Sequence, residues 1–195
     1  MRRHISVARV STVFLLGAVV AGCGGSGGGR GSAAAGATAA DTSSFSTSAG
    51  VARAGHTATL LASGDVFVVG GVDALGEPVA STLIISGTSV RPGPDLEVGR
   101  LGHSATILPT GEVLIAGGVS DAEATTVLAS AELFDPVAGS MTPGPALSEA
   151  RAWHLATACA GDRVLVAGGM TNDGLTASAE LFDAETREFT TLEGV

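Results

Sequence analysis

Apolar residues in the later part of the chain come in short runs of four to six, separated by turns rich in Gly, Pro and Asp. One such run is Val113–Ala116, which follows the turn-forming stretch Pro109-Thr110-Gly111. Runs of this length between turn residues are typical of β-strands, because a helix would need about ten residues or more. Beyond the N-terminal leader, no stretch reaches the roughly 18 apolar residues that span a bilayer. The pattern predicts an all-β fold.

The chain repeats one pattern three times. An Arg is followed three residues later by a His and then, after an apolar run, by a Gly-Gly pair; we call this pattern the repeat frame. The frames are 47 residues apart (Arg53 to Arg100) and then 51 (Arg100 to Arg151), with the same offset for every marker, so the insertions fall between frames. The frame residues are Arg53, His56, Gly70 and Gly71; Arg100, His103, Gly117 and Gly118; and Arg151, His154, Gly168 and Gly169.

Each unit predicts four short antiparallel strands. In the second unit these are the stretch that starts at His103, the run Val113–Ala116, the run Ala131–Phe134 and a short strand around Met141. Gly in the first turn, and Asp135-Pro136 in the last, are residues that hairpins and turns favour. The second half of the unit also recurs, at Ala80–Pro94, Ala129–Pro145 and Ala177–Leu192.

Four antiparallel strands in about 50 residues match one blade of a β-propeller. The order Arg-x-x-His-x-Ala-Thr, Gly-Gly and Ala-Glu-Leu-Phe-Asp resembles the kelch-repeat family, in its bacterial, galactose-oxidase-like branch. The resemblance implies a kelch-type β-propeller with about three four-stranded blades, near residues 51–98, 99–149 and 150–195. Since propellers close with roughly four to eight blades, we expect a partial or truncated ring. The chain departs from the family in the fourth strand, where the kelch Trp is replaced by Val90, Met141 and Phe189, and its one Trp, Trp153, stands where the other units have Gly55 and Gly102.

The N-terminal region is predicted to contain a targeting signal followed by a flexible linker. Residues 1–22 combine three Arg with an apolar run, the layout of a secretory signal. Small residues before Cys23 resemble the lipobox of bacterial lipoproteins, which implies a lipid-anchored protein of the bacterial cell envelope, at the outer membrane or the periplasmic face. The alternative is a soluble secreted protein in which Cys23 is incidental. Residues 23–49 are Gly, Ser, Ala and Thr with little to bury, which predicts a flexible linker before the repeats at 50–195.

The negative net charge of the chain limits the classes of molecule that it can bind. The formal net charge is -9. Removal of residues 1–22 deletes three of ten Arg and no acid, so seven Arg would face 19 acidic residues, a charge of -12. Nucleic acid is excluded as a partner, because phosphate binding needs clustered cations. Cys159 lies in an apolar run and predicts a buried, inert thiol.

The repeated polar residues predict structure rather than chemistry. Three His could hold a metal, but we expect each to recur with its blade, bonded to local backbone. The Arg residues are expected to act as struts between blades, and Glu132 and Glu180 as their buried partners, with Leu83 replacing the acid in the first unit. No catalytic motif is present, and with no Tyr the copper chemistry of galactose oxidases is excluded. Acids after the Gly pairs could bind Ca²⁺, although solvated loop residues are the simpler interpretation; they are Asp73, Glu77, Asp121, Glu123 and Asp173.

These expectations together predict that the chain is a binding scaffold for a protein or glycan. They predict no catalysis, cofactor or metal in this chain. The loops after Gly71, Gly118 and Gly169 vary while the repeat frame does not, and specificity in repeat proteins resides in such loops. The alternative is a fragment of a carbohydrate-active kelch enzyme whose catalytic residues lie in other blades; a non-functional remnant is a third hypothesis. An incomplete ring also predicts self-association through its exposed blade faces.

Overall fold

The computed structural model describes residues 52–193, and these form strands, turns and loops without a helix. The all-β class predicted above is confirmed. Within this range no helix has the length and apolar character needed to cross a membrane. The predicted signal peptide, lipidated Cys23 and linker lie outside the described residues.

Three four-stranded antiparallel sheets follow one another along the chain. In sheets I and II the strand order follows the sequence, so consecutive strands pair as hairpins. In sheet III the first two strands and the last two strands pair in the same way, and a short two-stranded hairpin is inserted between these pairs. Sheet I contains β1 (Thr57–Leu60), β2 (Val66–Val69), β3 (Thr82–Ser86) and β4 (Ser89–Pro92). Sheet II contains β5 (Ser104–Ile107), β6 (Val113–Ala116), β7 (Ala131–Asp135) and β8 (Ser140–Pro143). Sheet III contains β9 (Leu155–Cys159), β10 (Arg163–Ala167), β13 (Ala179–Asp183) and β14 (Glu188–Leu192), and the inserted hairpin contains β11 (Met170–Thr171) and β12 (Gly174–Leu175).

The core of the described residues has two layers between the sheets, and a third, smaller cluster of Val119, Val127 and Ala152 lies at one end of the strands. Side chains alternate across a strand, so the two faces of β6 point to different neighbours. Val113 and Ile115 pack with residues of sheet I, and Leu114 and Ala116 pack with residues of sheet III. All of β6 is therefore buried, which explains why it is a continuous apolar run without alternation.

An aromatic pair marks the first layer. The rings of Phe67 in sheet I and Phe134 in sheet II stack with their centroids 3.9 Å apart. In the second layer, Phe182 packs in one cluster with Leu114 and Leu133.

The face of a sheet that points to the following sheet in the chain is here called its rear face, and the opposite face is called its front face.

Candidate functional site

The arginines of the repeat frame fasten the base of each variable loop. Arg100 lies in the connection between β4 and β5 and has no exposed surface. Its Nη1 donates to the carbonyl of Gly117, at 3.1 Å, and to that of Ser130, at 3.0 Å. These two residues stand at the beginning and the end of the loop between β6 and β7. A buried guanidinium requires such acceptors, and here it takes them from both ends of one loop.

The same bonds recur in the other two sheets. Arg53 donates to the carbonyls of Gly70 (3.2 Å) and Ser81 (2.7 Å), and Arg151 to those of Gly168 (3.0 Å) and Ser178 (2.9 Å). Each of these partners belongs to the same repeat as its arginine. The arginine side chains therefore mainly hold the two loop ends of their own sheet together. Toward the preceding repeat, Nε of Arg100 donates to the carbonyl of Val98 at 3.3 Å and Nε of Arg151 to that of Glu149 at 3.4 Å, so the expected contact between blades accounts for only part of their bonding.

A serine completes each of these sites. The hydroxyls of Ser81, Ser130 and Ser178 accept a bond from Nη2 of the arginine, at 2.9, 3.3 and 2.8 Å. We did not predict this role from the sequence, although the signal was present, since an Ala-Ser pair opens the second half of every repeat.

Two glutamates pair with the arginines, as predicted. Nη2 of Arg100 lies 2.7 Å from Oε1 of Glu132, and Nη2 of Arg151 lies 3.0 Å from Oε1 of Glu180. All four side chains are at most 5 % exposed. Burial lowers the pKa of Arg100, and the charge of Glu132 opposes that shift. The guanidinium and the carboxylate form a buried ion pair, and the loss of either partner would leave the other without its main polar contact in the interior.

The same glutamates also reach the preceding repeat. Oε2 of Glu132 accepts the backbone N–H of Glu97 at 3.0 Å, and Oε2 of Glu180 accepts that of Ser148 at 2.7 Å. Each carboxylate thus ties its own sheet to the segment that enters it. Sheet I has Leu83 at this position and lacks the carboxylate.

Sheet III contains a second carboxylate beside its arginine. Oε2 of Glu149 lies 3.3 Å from Nη2 of Arg151 and accepts a bond from the hydroxyl of Thr176 at 3.0 Å. The hydroxyl of Ser178 also bonds to Glu149 and is the main cause of the lowered pKa of that carboxyl. The side chain of Glu149 is 43 % exposed, so this site reaches solvent through its second carboxylate.

Two of the three frame histidines connect neighbouring sheets. Nε2 of His103 lies 2.9 Å from the hydroxyl of Thr57 in sheet I, and Nε2 of His154 lies 2.8 Å from that of Ser104 in sheet II. The expectation of a bond to local backbone missed these inter-sheet partners. His56, in sheet I, is exposed. In the part of the chain that the structure describes, no group of three or more His, Cys, Asp or Glu residues could hold a metal ion.

Burial keeps two of these rings neutral. It lowers the pKa of His103 to about 3 and that of His154 to about 4, and the positive charges of Arg100 and Arg151 act in the same direction. A neutral ring can share its hydrogen bond with a hydroxyl at any physiological pH, so these histidines are structural links rather than proton carriers at neutral pH.

The Gly pairs allow the following repeat to approach closely. The N–H of Gly71 donates to the carbonyl of Arg100, and that of Gly118 to the carbonyl of Arg151, both at 2.9 Å. A Cβ on Gly70, which has a φ of +60°, would stand 2.6 Å from the same Arg100 carbonyl. The repeat requires glycine here because neighbouring backbones meet at this point.

Trp153 breaks the repeat at an exposed position. Its φ of +52° matches those of Gly55 (+65°) and Gly102 (+68°), so a bulky residue occupies a left-handed conformation that the other units give to glycine. Its backbone N–H donates to the carbonyl of Gly102 at 2.7 Å, and the residue is half exposed. Strained, exposed residues of this kind are frequent at binding sites.

The loops after the Gly pairs lie at the same end of the sheets as Trp153. Val72, Val119 and Met170 bridge to the residue that follows each frame arginine, next to Gly55, Gly102 and Trp153. The loop tips expose Leu75 (85 %) and Leu175 (91 %). We call this region the loop surface; it comprises residues 72–78, 119–127 and 170–175 together with Trp153.

The acidic loop residues act mainly within their own loops. Oδ1 of Asp73 accepts the N–H groups of Leu75 and Glu77, and the carboxylate of Asp121 accepts those of Thr125 and Thr126. These bonds lower the pKa of Asp121. The carboxylates therefore shape the loops, as expected for Asx-type turns.

A cleft opens between sheets I and II at the opposite end. Its volume is about 270 Å³; Leu61, Ile84 and Phe134 line its apolar part, and Arg91 and Asp65 its polar part. At the equivalent position between sheets II and III, Glu112 forms a two-oxygen ion pair with Arg187 that joins the sheets.

Cys159 corrects one expectation. The thiol is exposed in the structure, although the apolar run around it predicted burial. The equivalent residue of sheet II, Leu108, is buried because sheet III covers it, and no described residue covers Cys159 in the same way.

No protein-family model matches the chain, and no curated protein matches it. The geometry alone therefore indicates what the site can do. The frame arginines direct their donors to carbonyls of the chain itself, whereas the loop surface presents apolar tips and one aromatic ring to solvent.

Proposed function

We propose that this chain is a lipid-anchored, extracytoplasmic binding scaffold of the bacterial cell envelope. Its three sheets are consecutive blades of a kelch-type β-propeller, and its loop surface holds a protein or glycan ligand without catalysis. Cys23 anchors the chain to the membrane, and residues 24–49 form the tether that carries the repeats.

One observation carries this proposal: the bonds from each frame arginine to the two ends of its loop recur in all three repeats, while the loop surface differs among them. Each frame arginine binds the same two carbonyls of its own loop. The loops that leave these carbonyls differ in length, sequence and internal hydrogen bonds. A repeat that keeps its frame and varies its loops is arranged for recognition, because the frame positions whatever the loops present.

Trp153 indicates where the ligand contacts the surface. An exposed Trp offers a large apolar ring with a polar N–H, which suits stacking on a sugar or contact with a protein side chain. One side of its indole ring lies against Gly102 of the preceding sheet, and half of the residue remains exposed. The leucine tips at Leu75 and Leu175 extend this apolar surface.

The test uses the fact that the chain has a single Trp. Purified full-length chain is titrated with soluble oligosaccharides of glucose, galactose, mannose and N-acetylglucosamine while the Trp emission is recorded. In parallel, a photo-crosslinking amino acid replaces Leu175 on the loop surface or, as a matched control, Val137, which is 96 % exposed in the β7–β8 turn at the opposite end of the sheet.

A saturable change of emission identifies a glycan ligand. A defined protein adduct in intact cells, formed from position 175 and not from position 137, identifies a protein ligand. If no sugar changes the emission and both positions give the same adducts or none, the loop surface is not a binding site and the proposal fails.

A further inference from the structure

The two outer faces of the three-sheet array are copies of the faces that pack inside it. The rear face of sheet III repeats the rear faces of sheets I and II, and the front face of sheet I repeats the front faces of sheets II and III. Residues 52–193 therefore contain two examples of one kind of contact, rear face on front face, and within this range one face of each type has no sheet packed on it.

The rear face of sheet III is open, and it is apolar around Leu165 and polar at the end where Arg163 pairs with Asp183. Leu165 and Leu181 are equivalent to Leu114 and Leu133, which are each 1 % exposed beneath sheet III, but they are themselves only partly buried. On the same face Leu155 is 65 % and Leu192 37 % exposed. The register places these residues together, since Leu165 pairs with Leu181, and Leu155 and Ala179 both pair with Ala167.

The front face of sheet I, like the rear face of sheet III, carries apolar side chains. It consists of Leu60, Val66, Val68, Leu83 and Ile85, as the pairing of β1, β2 and β3 shows. In sheet II the equivalent Val113, Ile115 and Phe134 have no exposed surface. In sheet I, Leu60 is 65 % exposed, and Val66 and Ile85 are partly buried. The acid that sheets II and III carry on this face is Leu83 here, so the front face of sheet I is the more apolar.

The Gly pair of sheet III keeps the space for a neighbour. Gly70 faces the carbonyl of Arg100 from the next sheet, at 2.6 Å from an added Cβ. Gly168 has the same left-handed backbone, with a φ of +65°, but the nearest atom to an added Cβ is the carbonyl oxygen of Thr176 in its own sheet, at 3.6 Å. The rear face of sheet III thus has the glycine that admits a neighbouring backbone, and no described residue uses the space.

We infer that the rear face of sheet III binds the front face of sheet I in a second copy of this chain. The contact continues the internal stacking and is head-to-tail, because the two faces are different surfaces. The Phe67–Phe134 stack inside the molecule is the template, and its equivalents across the new contact are Leu165 of one copy and Ile85 of the other. At the His–hydroxyl position, Leu155 replaces the hydroxyl, so an apolar contact takes the place of the hydrogen bond.

This inference does not depend on the proposed ligand-binding function. The two faces lie on the flat sides of the sheets, whereas the loop surface lies at one end of the strands. Variants on the faces should therefore leave ligand contact at Trp153 intact, and failure of one proposal can be separated from failure of the other.

The test is sedimentation equilibrium of the full chain in a mild non-ionic detergent across a range of concentrations. We expect particles of at least two copies, and stronger association at higher salt, because copies with a net charge of -9 repel one another. Leu165→Arg blocks the rear face and Ile85→Glu blocks the front face. Each alone should weaken association by about tenfold or more, since it places a charge in an apolar contact. Val137→Arg, at an exposed turn, is the matched control and should change nothing.

Mixing the two blocked chains distinguishes a head-to-tail contact from any other. The Ile85→Glu chain keeps its rear face and the Leu165→Arg chain keeps its front face, so the mixture should form dimers while neither chain does alone. Circular dichroism and thermal melting establish that both variants are folded.

A second measurement needs no variant. Cys159 lies on the rear face, so its alkylation, followed by peptide mapping, should slow as the wild-type concentration rises. A wild-type chain that stays monomeric, an association unchanged by both substitutions, or a Cys159 whose reactivity does not depend on concentration would each overturn the inference.

Discussion

The guanidinium of Arg100 and the carboxylate of Glu132 form an ion pair 2.7 Å long at the base of the β6–β7 loop, with both side chains almost completely buried. The arginine holds the two ends of the loop, and the glutamate holds the segment that enters the sheet. The stability of sheet II therefore depends on this pair as a unit, and the same holds for Arg151 and Glu180 in sheet III.

Removal of one partner should be costly. Glu132→Ala leaves the Arg100 charge buried without its partner, and we expect the free energy of unfolding to fall by about 3–5 kcal/mol. The matched control is Glu112→Ala, which removes the Arg187 pair, where the arginine is half exposed; we expect a loss below about 1 kcal/mol. Urea denaturation of both variants measures the difference, and equal losses would show that the buried pair has no special weight.

The neutral histidines should make the fold sensitive to mild acid. The pKa values of His103 and His154 are about 3 and about 4 in the folded chain, below the ordinary value of 6.5. Their contribution is fully present above pH 6.5 and is lost as the pH falls toward the folded values, because the unfolded chain takes up the protons first. We expect unfolding free energy to fall between pH 6.5 and 4.5 by up to about 1.4 kcal/mol per pH unit for each histidine.

The control for this prediction is His103→Gln, whose amide can still bond to the hydroxyl of Thr57 but does not titrate. Denaturation at a series of pH values should give a slope reduced by about half in this variant. A slope equal to that of the wild-type chain would mean that His103 is not responsible for the acid sensitivity.

Two glycines separate backbone strain from close approach. Gly70 and Gly168 have φ values of +60° and +65°, but only Gly70 faces a neighbouring carbonyl. Gly168→Ala should lose about 1 kcal/mol from the left-handed backbone alone. Gly70→Ala should lose about 2–3 kcal/mol or more, because the Arg100 carbonyl must also move. Thermal unfolding at concentrations where the chain is monomeric gives both values, and similar losses would argue against the inter-sheet contact.

The anchor can be tested by itself. Cys23→Ser removes the thiol that the lipid would modify, and the chain should move from the membrane fraction to the soluble fraction after cell disruption. Val20→Ile, a change in the same segment that keeps the cysteine, serves as the control for export. A Cys23→Ser chain that stays with the membrane would contradict the proposed lipidation.

The sequence predicted those features of the fold that are local and repeated. The strands of sheet II, the turn at Asp135 and the pairing of Arg100 with Glu132 all follow from short patterns in one repeat. The hairpin β11–β12 was not predicted, since two-residue strands leave no periodic pattern.

Features that depend on a neighbouring sheet were harder to predict. Whether Cys159 is buried depends on what covers the rear face of sheet III, and the apolar run around it does not contain that information. The partner of His103 is a hydroxyl 46 residues away, in the previous repeat. The arginines were assigned to the contact between blades because their recurrence indicates a structural role but not which carbonyls they reach.

The grip of each arginine on both ends of one loop has a consequence for sequence change. From Arg53, Arg100 and Arg151, the first loop carbonyl is 17 residues away in every repeat, while the second is 28, 30 and 27 residues away. The same two arginine hydrogen bonds therefore close loops of different length. The entropic cost of closing a loop rises only slowly with the number of residues in it. Insertion of other sequences between these two carbonyls should disturb the sheets little. The loops of this chain are therefore suitable positions for libraries of varied loop sequences.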